Sequence, residues 1–417
     1  MSEIKVFAKD YPMAPIDKFI PYANNARTHS KEQIKKLRAI YRGIGYGDPV
    51  EVDENFTILS GHGRVEAAKA EGMTELPYVM LKGMTEAEKK AYILAVNRSA
   101  LDAGWDEELL AVEIDALREL DFDPTLTGFD EKELAALYDT PEVEDDDFDV
   151  EAELREPTVT KPGDLWTLGR HRLLCGDSTK PESYALLMGD RKANLVITDP
   201  PYNVNYEGSA GKIQNDNMDG EAFYRFLLDA FTNMAAVMAD DASIYVFHAD
   251  TEGLNFRRAF ADAGFYLSGC CIWKKQSLVL GRSPYQWQHE PVLYGWKKGG
   301  RHQWYTGRKE TTIWEFDKPK KNGDHPTMKP IPLLAYPIMN SSMSNTLVLD
   351  PFGGSGSTLI ACEQTDRDCF TIELDEKFCD VIVKRYIEQV GSDEKVSVQR
   401  DGLTYSFAEL TAVPVAV

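Results

Sequence analysis

TLVLDPFGGSGSTLIAC, residues 346–362, is the stretch from which the fold can be read. An apolar run, Leu347 to Leu349, stops at Asp350; Gly353, Gly354 and Gly356 then supply a turn that bare backbone follows easily, and STLIAC starts a helix. Strand, glycine turn and helix start, in that order, form the nucleotide site of doubly wound α/β sheets, where the ligand lies at the carboxyl end of the strand. Glu373 closes a second apolar stretch, CFTIELD, nineteen residues beyond Gly354. That spacing suits an acidic side chain accepting hydrogen bonds from ribose hydroxyls. Taken singly, the glycine turn also reads as an ordinary tight turn.

Working outward, strand-like and helix-like segments alternate from residue 157. HRLLCGD, NLVITDPPY, ASIYVFHAD, GCCIWKK and PVLYGWKK precede the two stretches above, with EAFYRFLLDAFTNMAAVM and STLIACEQT as helices. The pattern predicts an α/β domain over 157–395, a parallel sheet wrapped by helices. Residues 12–100 predict a small α+β unit in which KEQIKKLRAIYRGIG is a helix, PVEVDENFTILSG a hairpin, and RVEAAKAEG and AEKKAYILAVNRSA further helices. Residues 101–156 read as an acidic segment: short helices such as EELLAVEIDALREL, then PEVEDDDFDVEAELREP, which has the composition of a solvated linker. No fixed-period repeat is visible.

A second motif sits in NLVITDPPYNVNY, residues 194–206, where an apolar strand runs into Asp199, Pro200, Pro201 and Tyr202. The prolines end the strand and stiffen the turn. An exocyclic amine of a nucleobase is a poor nucleophile because its lone pair is delocalised into the ring. Acceptors that draw its hydrogens out of plane correct this, and Asp199 with the Pro200 carbonyl supplies such acceptors. Tyr202 offers a face on which a flipped base stacks. Alone, these four residues also read as a strand-ending turn. His289 and Glu290 read as a structural polar pair at a strand end and are left outside the site.

Together the two motifs resemble the amino-methyltransferases of DNA, a family with a Rossmann-like sheet. Its catalytic motif is Asp, Asn or Ser followed by Pro-Pro and an aromatic residue, matched at Asp199 to Tyr202, and its S-adenosylmethionine motif is similar to DPFGGSG at 350–356. The resemblance covers residues 160–392 and implies cofactor contacts at Asp350, Phe352, Gly353, Gly354, Gly356 and Glu373. HPTMKP at 325–330 resembles a third family motif, which implies Thr327 and Lys329 at the cofactor's carboxylate end, and Asp177 in LLCGD falls where the family contacts the adenine ring. Catalytic motif first and cofactor motif second resembles the family's permuted beta group. Permutation is harmless because both motifs end parallel strands on one side of the sheet. Asp rather than Ser at 199 implies adenine N6 as target, with cytosine N4 the alternative.

PYANNARTHSKEQIKKLRAIYRGIGYGDPVEVDENFTILSGHGRVEAAKAEG resembles the ParB/sulfiredoxin-like N-terminal domain, whose G-E-R-R-like box reads Gly61, His62, Gly63, Arg64 here. The resemblance implies phosphate binding by Arg64 and Arg27. With His62 and Gly63 departing from the box, anion or DNA-backbone binding is the expectation rather than nucleotide hydrolysis.

Composition is compatible with a DNA enzyme once charge is located. The net charge is −22, but residues 102–156 hold 22 Asp or Glu against Arg118, Lys132 and Arg155. Residues 270–330 hold 12 Lys or Arg against 5 Asp or Glu, interleaved with tryptophans, which fits a nucleic-acid surface. Within KKGGRHQWYTGRKETTIWEF, 297–316, Arg301, Arg308 and Lys309 are the candidates for phosphate contact, a solvated loop being the alternative. Six cysteines without a C-x-x-C pair argue against a zinc ribbon or disulfide framework, and none follows a proline, which disfavours cytosine-C5 chemistry. No metal site is expected. No run approaches the ~20 apolar residues of a membrane span, and the N-terminus lacks a signal peptide's features, so a cytoplasmic protein is expected. Double-stranded DNA is the expected partner, S-adenosylmethionine the cofactor, and a homodimer is compatible with the sequence. An RNA or protein amine methyltransferase and a catalytically inert ParB-like DNA-binding protein are the competing functions. ParB-like fusion also suggests mobile elements, and restriction-modification is a possible context.

Overall fold

A computed structural model of the chain describes residues 4–23, 27, 29–99, 104–105, 107–137, 142–203, 207–208, 211–212, 217–280, 284–306, 309–317 and 328–411. It divides into two compact units, Met1–Thr140 and Pro141–Val417.

In the first unit, strands Met13–Pro15, Glu75–Met80, Val50–Val52 and Ile58–Ser60 form one sheet in that order. The expected hairpin is the antiparallel pair Val50–Val52 and Ile58–Ser60. Helix Lys31–Gly43 begins where Ser30 Oγ accepts the Gln33 N–H at 3.0 Å, satisfying one of the donors left open at a helix start. Helix His62–Ala70 follows Gly61, whose φ of +106° is one that glycine adopts without strain. Val50, Val52, Ile58, Val65, Ala67 and Leu76 fill the space between sheet and helices. The acidic sequence that follows forms helix Glu107–Glu119, a 3-10 turn Pro124–Thr127 and helix Glu131–Ala136, the last closed by a capping box of Asp130 and Glu133.

The second unit is an eleven-stranded sheet. Five parallel strands make its centre, in the order Met238–Phe247, Ala193–Thr198, Leu347–Asp350, Asp368–Glu373 and His171–Cys175. Two apolar layers cover its faces, one including Phe223, Phe231, Phe256 and Phe260, the other including Ile331, Leu334, Ile338 and Ile360. Burial on both faces explains why the central strands are near-continuous apolar runs. The sheet is not parallel throughout, as expected, but antiparallel at both sides. Phe265–Val279 and Trp287–Lys297 pair with each other antiparallel beside Met238–Phe247, and Leu165–Leu168 pairs antiparallel with both His171–Cys175 and Val396–Arg400. Strands Val396–Arg400 and Leu403–Ser406 carry the sheet past residue 395.

The acidic run read as a solvated linker is packed on this unit. Phe148 and Val150 are buried beside Met328 and Val381. Asp145 accepts the Ile331 N–H at 2.7 Å, and Asp146 pairs with Arg385, which is 1% exposed. Apolar residues spaced among the acids, and buried cations waiting for them, turn a hydrophilic composition into an ordered segment.

Candidate active site

Two strand ends meet at the centre of the sheet. Val348 pairs with Leu195 and Leu349 with Val196, so Asp350 and Asp199 leave the sheet side by side, and Thr198 Oγ1 donates to Asp350 Oδ1 at 3.0 Å. The same Asp350 oxygen accepts the Phe352 N–H at 3.1 Å and fixes the start of the glycine loop. Glu373 spans the next gap: Oε2 accepts the Gly354 N–H at 2.7 Å and Oε1 the Asp375 N–H at 2.9 Å. Each oxygen keeps a lone pair for a further donor. Burial pushes both the Asp350 and Glu373 carboxyls up to about 7.

The loop residues differ in what surrounds them. A side chain at Gly353 would meet Thr371 Oγ1 at 2.5 Å and Ile382 Cδ1 at 3.0 Å, whereas one at Gly354, with φ +52°, would meet nothing within 4 Å. Open space over bare backbone beside a hydroxyl-accepting carboxylate is what a nucleoside needs, so these residues fit the adenosyl part of the expected cofactor. Asp177 lies one strand further on: Cys175 pairs with Glu373, the Gly176 N–H donates to the Glu373 carbonyl, and Asp177 Oδ1 holds the Thr179 N–H and hydroxyl at 2.8 and 2.7 Å.

The Asp-Pro-Pro-Tyr turn carries a charged cluster. Tyr202 donates its hydroxyl to Asp199 Oδ1 at 2.5 Å and lies 3.2 Å from Glu290 Oε2. Lys329 Nζ donates to Asp199 Oδ2 at 2.6 Å and to the Tyr202 oxygen at 3.1 Å, and stands 3.3 Å from Glu290. Lys275 closes the cluster, 2.5 Å from Glu290 Oε1. Asn203 holds the turn in the left-handed region, φ +59°, where asparagine is tolerated. Its side chain accepts the Met218 N–H at 2.6 Å and donates to the Met218 carbonyl at 3.1 Å. Burial opposes the charge on Glu290, but Lys329 and Lys275 outweigh it and hold the carboxyl at about 2. Burial likewise opposes charge on Lys329, yet Asp199 and Glu290 outweigh it, so the ammonium is retained more firmly than usual. At Asp199 burial dominates and raises the pKa, with Lys329 offsetting part of the effect.

The fold thus gathers Asp177, Asp350, Phe352, Gly353, Gly354, Gly356 and Glu373 on adjoining strand ends and loops, with Asp199, Pro200 and Tyr202 beside them. Lys329, expected at the cofactor's carboxylate end, is paired with Asp199. Thr327 and Arg308 lie outside the described residues. Arg301 is placed away from the site. Strand Trp287–Lys297 runs antiparallel to Met238–Phe247, so the chain leaves it at the amino ends of the central strands, where Lys297 Nζ donates to the Met238 carbonyl at 2.8 Å and Gln303 reaches Asp241 at 2.7 Å. Lys309 is exposed next to Glu310, which accepts the Tyr336 hydroxyl at 2.5 Å. In the first unit Arg64, the expected anion contact, donates to the Pro49 carbonyl at 3.2 Å and the Ser60 hydroxyl at 3.0 Å and contacts the Asp48 carboxylate. Arg27 Nη1 donates to Asn97 Oδ1 at 2.9 Å. Glu290, read with His289 as a structural polar pair, stands inside the cluster instead, and Lys275 went unrecognised, because nothing local in the sequence marks a strand residue whose partners are 15 to 88 residues distant. Among the described residues no group of three or more His, Cys, Asp or Glu is placed to hold a metal, and no helix is long and apolar enough to cross a membrane.

A family model described as DNA methylase matches residues 193–384, and one described as the ParB-methyltransferase HTH domain matches residues 108–162. YubD of Escherichia coli (strain K12), which carries the name of a methylase, is 30% identical over 208 residues, 50% of this chain and 83% of its own. The ParB-like nuclease domain-containing protein YnaK of the same strain is 42% identical over 76 residues, 18% of this chain and 87% of its own. A crystal structure of the M1.HpyAVI-SAM complex, 22% identical with a TM-score of 0.40, covers 51% of this chain and 98% of that one. The fold is that of a Rossmann-like methyltransferase preceded by a ParB-like region. The chain belongs to the DNA methylase family of N6/N4 amino-methyltransferases, whose cofactor is S-adenosylmethionine.

Proposed function

We propose that this protein methylates adenine N6 in double-stranded DNA. The observation that carries the reading is the pairing of Leu195 and Val196 with Val348 and Leu349, which sets the amine acceptor Asp199 next to the strand that ends in the cofactor loop. S-adenosylmethionine, when bound, supplies an electrophilic methyl group on a sulfonium. Glu373 would hold the ribose hydroxyls, the backbone at Gly354 would lie against the nucleoside, and Asp177 would contact the adenine ring. A target base must leave the duplex to reach this depth, and Tyr202 would receive its face. Asp199 accepts one N–H of the amine and the Pro200 carbonyl the other, which draws the lone pair out of conjugation with the ring. The carboxylate also stabilises the positive charge that grows on the nitrogen. Asp at position 199 supports adenine over cytosine.

The test is incubation of the purified protein with unmethylated duplex DNA and methyl-labelled S-adenosylmethionine, followed by nucleoside mass spectrometry, with Asp199→Ala as control. N6-methyladenine from the wild type alone supports the proposal. N4-methylcytosine keeps the chemistry and overturns the choice of base, and label on RNA or protein but not DNA overturns the substrate.

A further inference from the structure

The acceptor that this reaction needs already holds two donors, one of them a cation. Asp199 Oδ1 holds the Tyr202 hydroxyl at 2.5 Å and Oδ2 holds Lys329 Nζ at 2.6 Å. The ammonium presents the same N–H donor chemistry as a target amine, at the distance an amine would take. Its side chain is 8% exposed, so moving away without a new partner would leave a buried, unpaired cation, which is costly. Among the described residues the second carboxylate beside it is Glu290, whose Oε2 is 3.3 Å from Lys329 Nζ and 3.2 Å from the Tyr202 hydroxyl. Glu290 is itself held from the other side by Lys275 at 2.5 Å, on the neighbouring strand of the same hairpin.

We propose that Glu290 is a positioning residue that takes Lys329 from Asp199 when the target amine arrives, so that Asp199 Oδ2 faces the substrate N–H in place of a cation. The proposal rests on the methylation reading above. Lys329 already touches both carboxylates, at 2.6 Å from Asp199 and 3.3 Å from Glu290, so turning the ammonium toward Glu290 keeps it paired throughout. The exchange also corrects the electrostatics. A lysine on Asp199 cancels the negative charge that the methylated nitrogen needs as its own positive charge grows, whereas a lysine on Glu290 leaves that charge to the substrate. Lys275 keeps Glu290 charged and in place until then.

A double-mutant cycle on the full chain tests this, with initial rates of methyl transfer to unmethylated duplex DNA for wild type, Glu290→Gln, Lys329→Met and the double variant. Calorimetric affinity for S-adenosylmethionine and a melting temperature are taken for each. Glu290→Gln is expected to slow transfer by about tenfold with cofactor affinity unchanged, and to have no further effect once Lys329 is Met. Glu290→Asp, which keeps the charge, is expected to recover part of the rate. Equal losses from Glu290→Gln in both backgrounds overturn the exchange, as does a Glu290→Gln enzyme as fast as wild type. Should Glu290→Gln melt below the assay temperature, Lys329→Met decides: substantial transfer supports the exchange, and a loss as deep as that of Asp199→Ala overturns it. A wild-type protein that transfers no methyl to DNA overturns the methylation reading, and the exchange with it.

Discussion

Asp146 grips Arg385 with both oxygens, at 2.6 Å from Nε and 3.1 Å from Nη2, and the same guanidinium donates to the Ser355 carbonyl at 2.8 Å and the Ser357 hydroxyl at 3.1 Å. The acidic segment therefore buttresses the glycine loop through one buried arginine. Removing one partner of a buried pair strands the other charge and costs about 3–5 kcal/mol. Asp146→Ala is expected to lower the unfolding free energy of the second unit, measured by urea titration, by that order and to weaken S-adenosylmethionine binding by loosening Ser355. Unchanged denaturation would show that Arg385 is satisfied without Asp146.

Neighbouring glycines are expected to fail differently. In Gly353→Ala the new methyl meets Thr371 Oγ1 and Ile382 Cδ1 at 2.5 and 3.0 Å, an overpacking worth about 1–3 kcal/mol. Gly354→Ala meets no atom, and strains only its φ of +52°, about 1–2 kcal/mol. Its methyl projects into the open space proposed for the nucleoside, so cofactor affinity measured by calorimetry should drop further than melting temperature does. The reverse ranking would remove the nucleoside from that face.

Cofactor binding should depend on pH through Glu373, whose carboxyl burial raises to about 7 from 4.5. Ribose hydroxyls are held better by the carboxylate, so affinity is expected to rise with pH and level off above about 7, and to be weaker and flat in Glu373→Gln. Stability has the opposite slope. Between the unfolded and folded pKa values the folded chain binds more protons. The contribution of Glu373 and Asp350 is therefore full below the ordinary carboxylate range and is lost as pH rises through about 7. Urea titrations of Asp350→Asn should show a shallower fall across that window than wild type.

Arg64 ties the residues before strand Val50–Val52 to Ser60 at the end of Ile58–Ser60. Arg64→Ala is expected to destabilise the first unit by about 1–3 kcal/mol through the carbonyls and hydroxyl it leaves unpaired. A variant with wild-type melting but weakened binding of inorganic phosphate or DNA would restore the anion role.

Much of the site was legible because its chemistry is local in sequence. Asp350 and the glycines are one strand, one turn and one helix start, and Asp199 to Tyr202 are four consecutive residues, so backbone requirement and residue type coincide. Glu290 was not legible: its three partners come from a neighbouring strand, from Tyr202 and from Lys329, and a Glu in a strand reads alike with or without them. Where Arg301 lies was not legible for a related reason, since its position depends on the antiparallel direction of the strand before it.

The sequence by itself determined the alternation of apolar strands and amphipathic helices and the two motifs at strand ends, set by periodicity, glycine and proline stereochemistry within short windows, and the ParB-like beginning through its resemblance to that family. Only the tertiary structure decided that Lys329 faces Asp199, that Glu290 lies 3.3 Å from Lys329 Nζ, and that Asp145 and Asp146 are packed partners and not solvated charges. Charge pairing acts through space over a few ångströms, and residues up to 239 positions apart become neighbours only when the sheet has set its strand order.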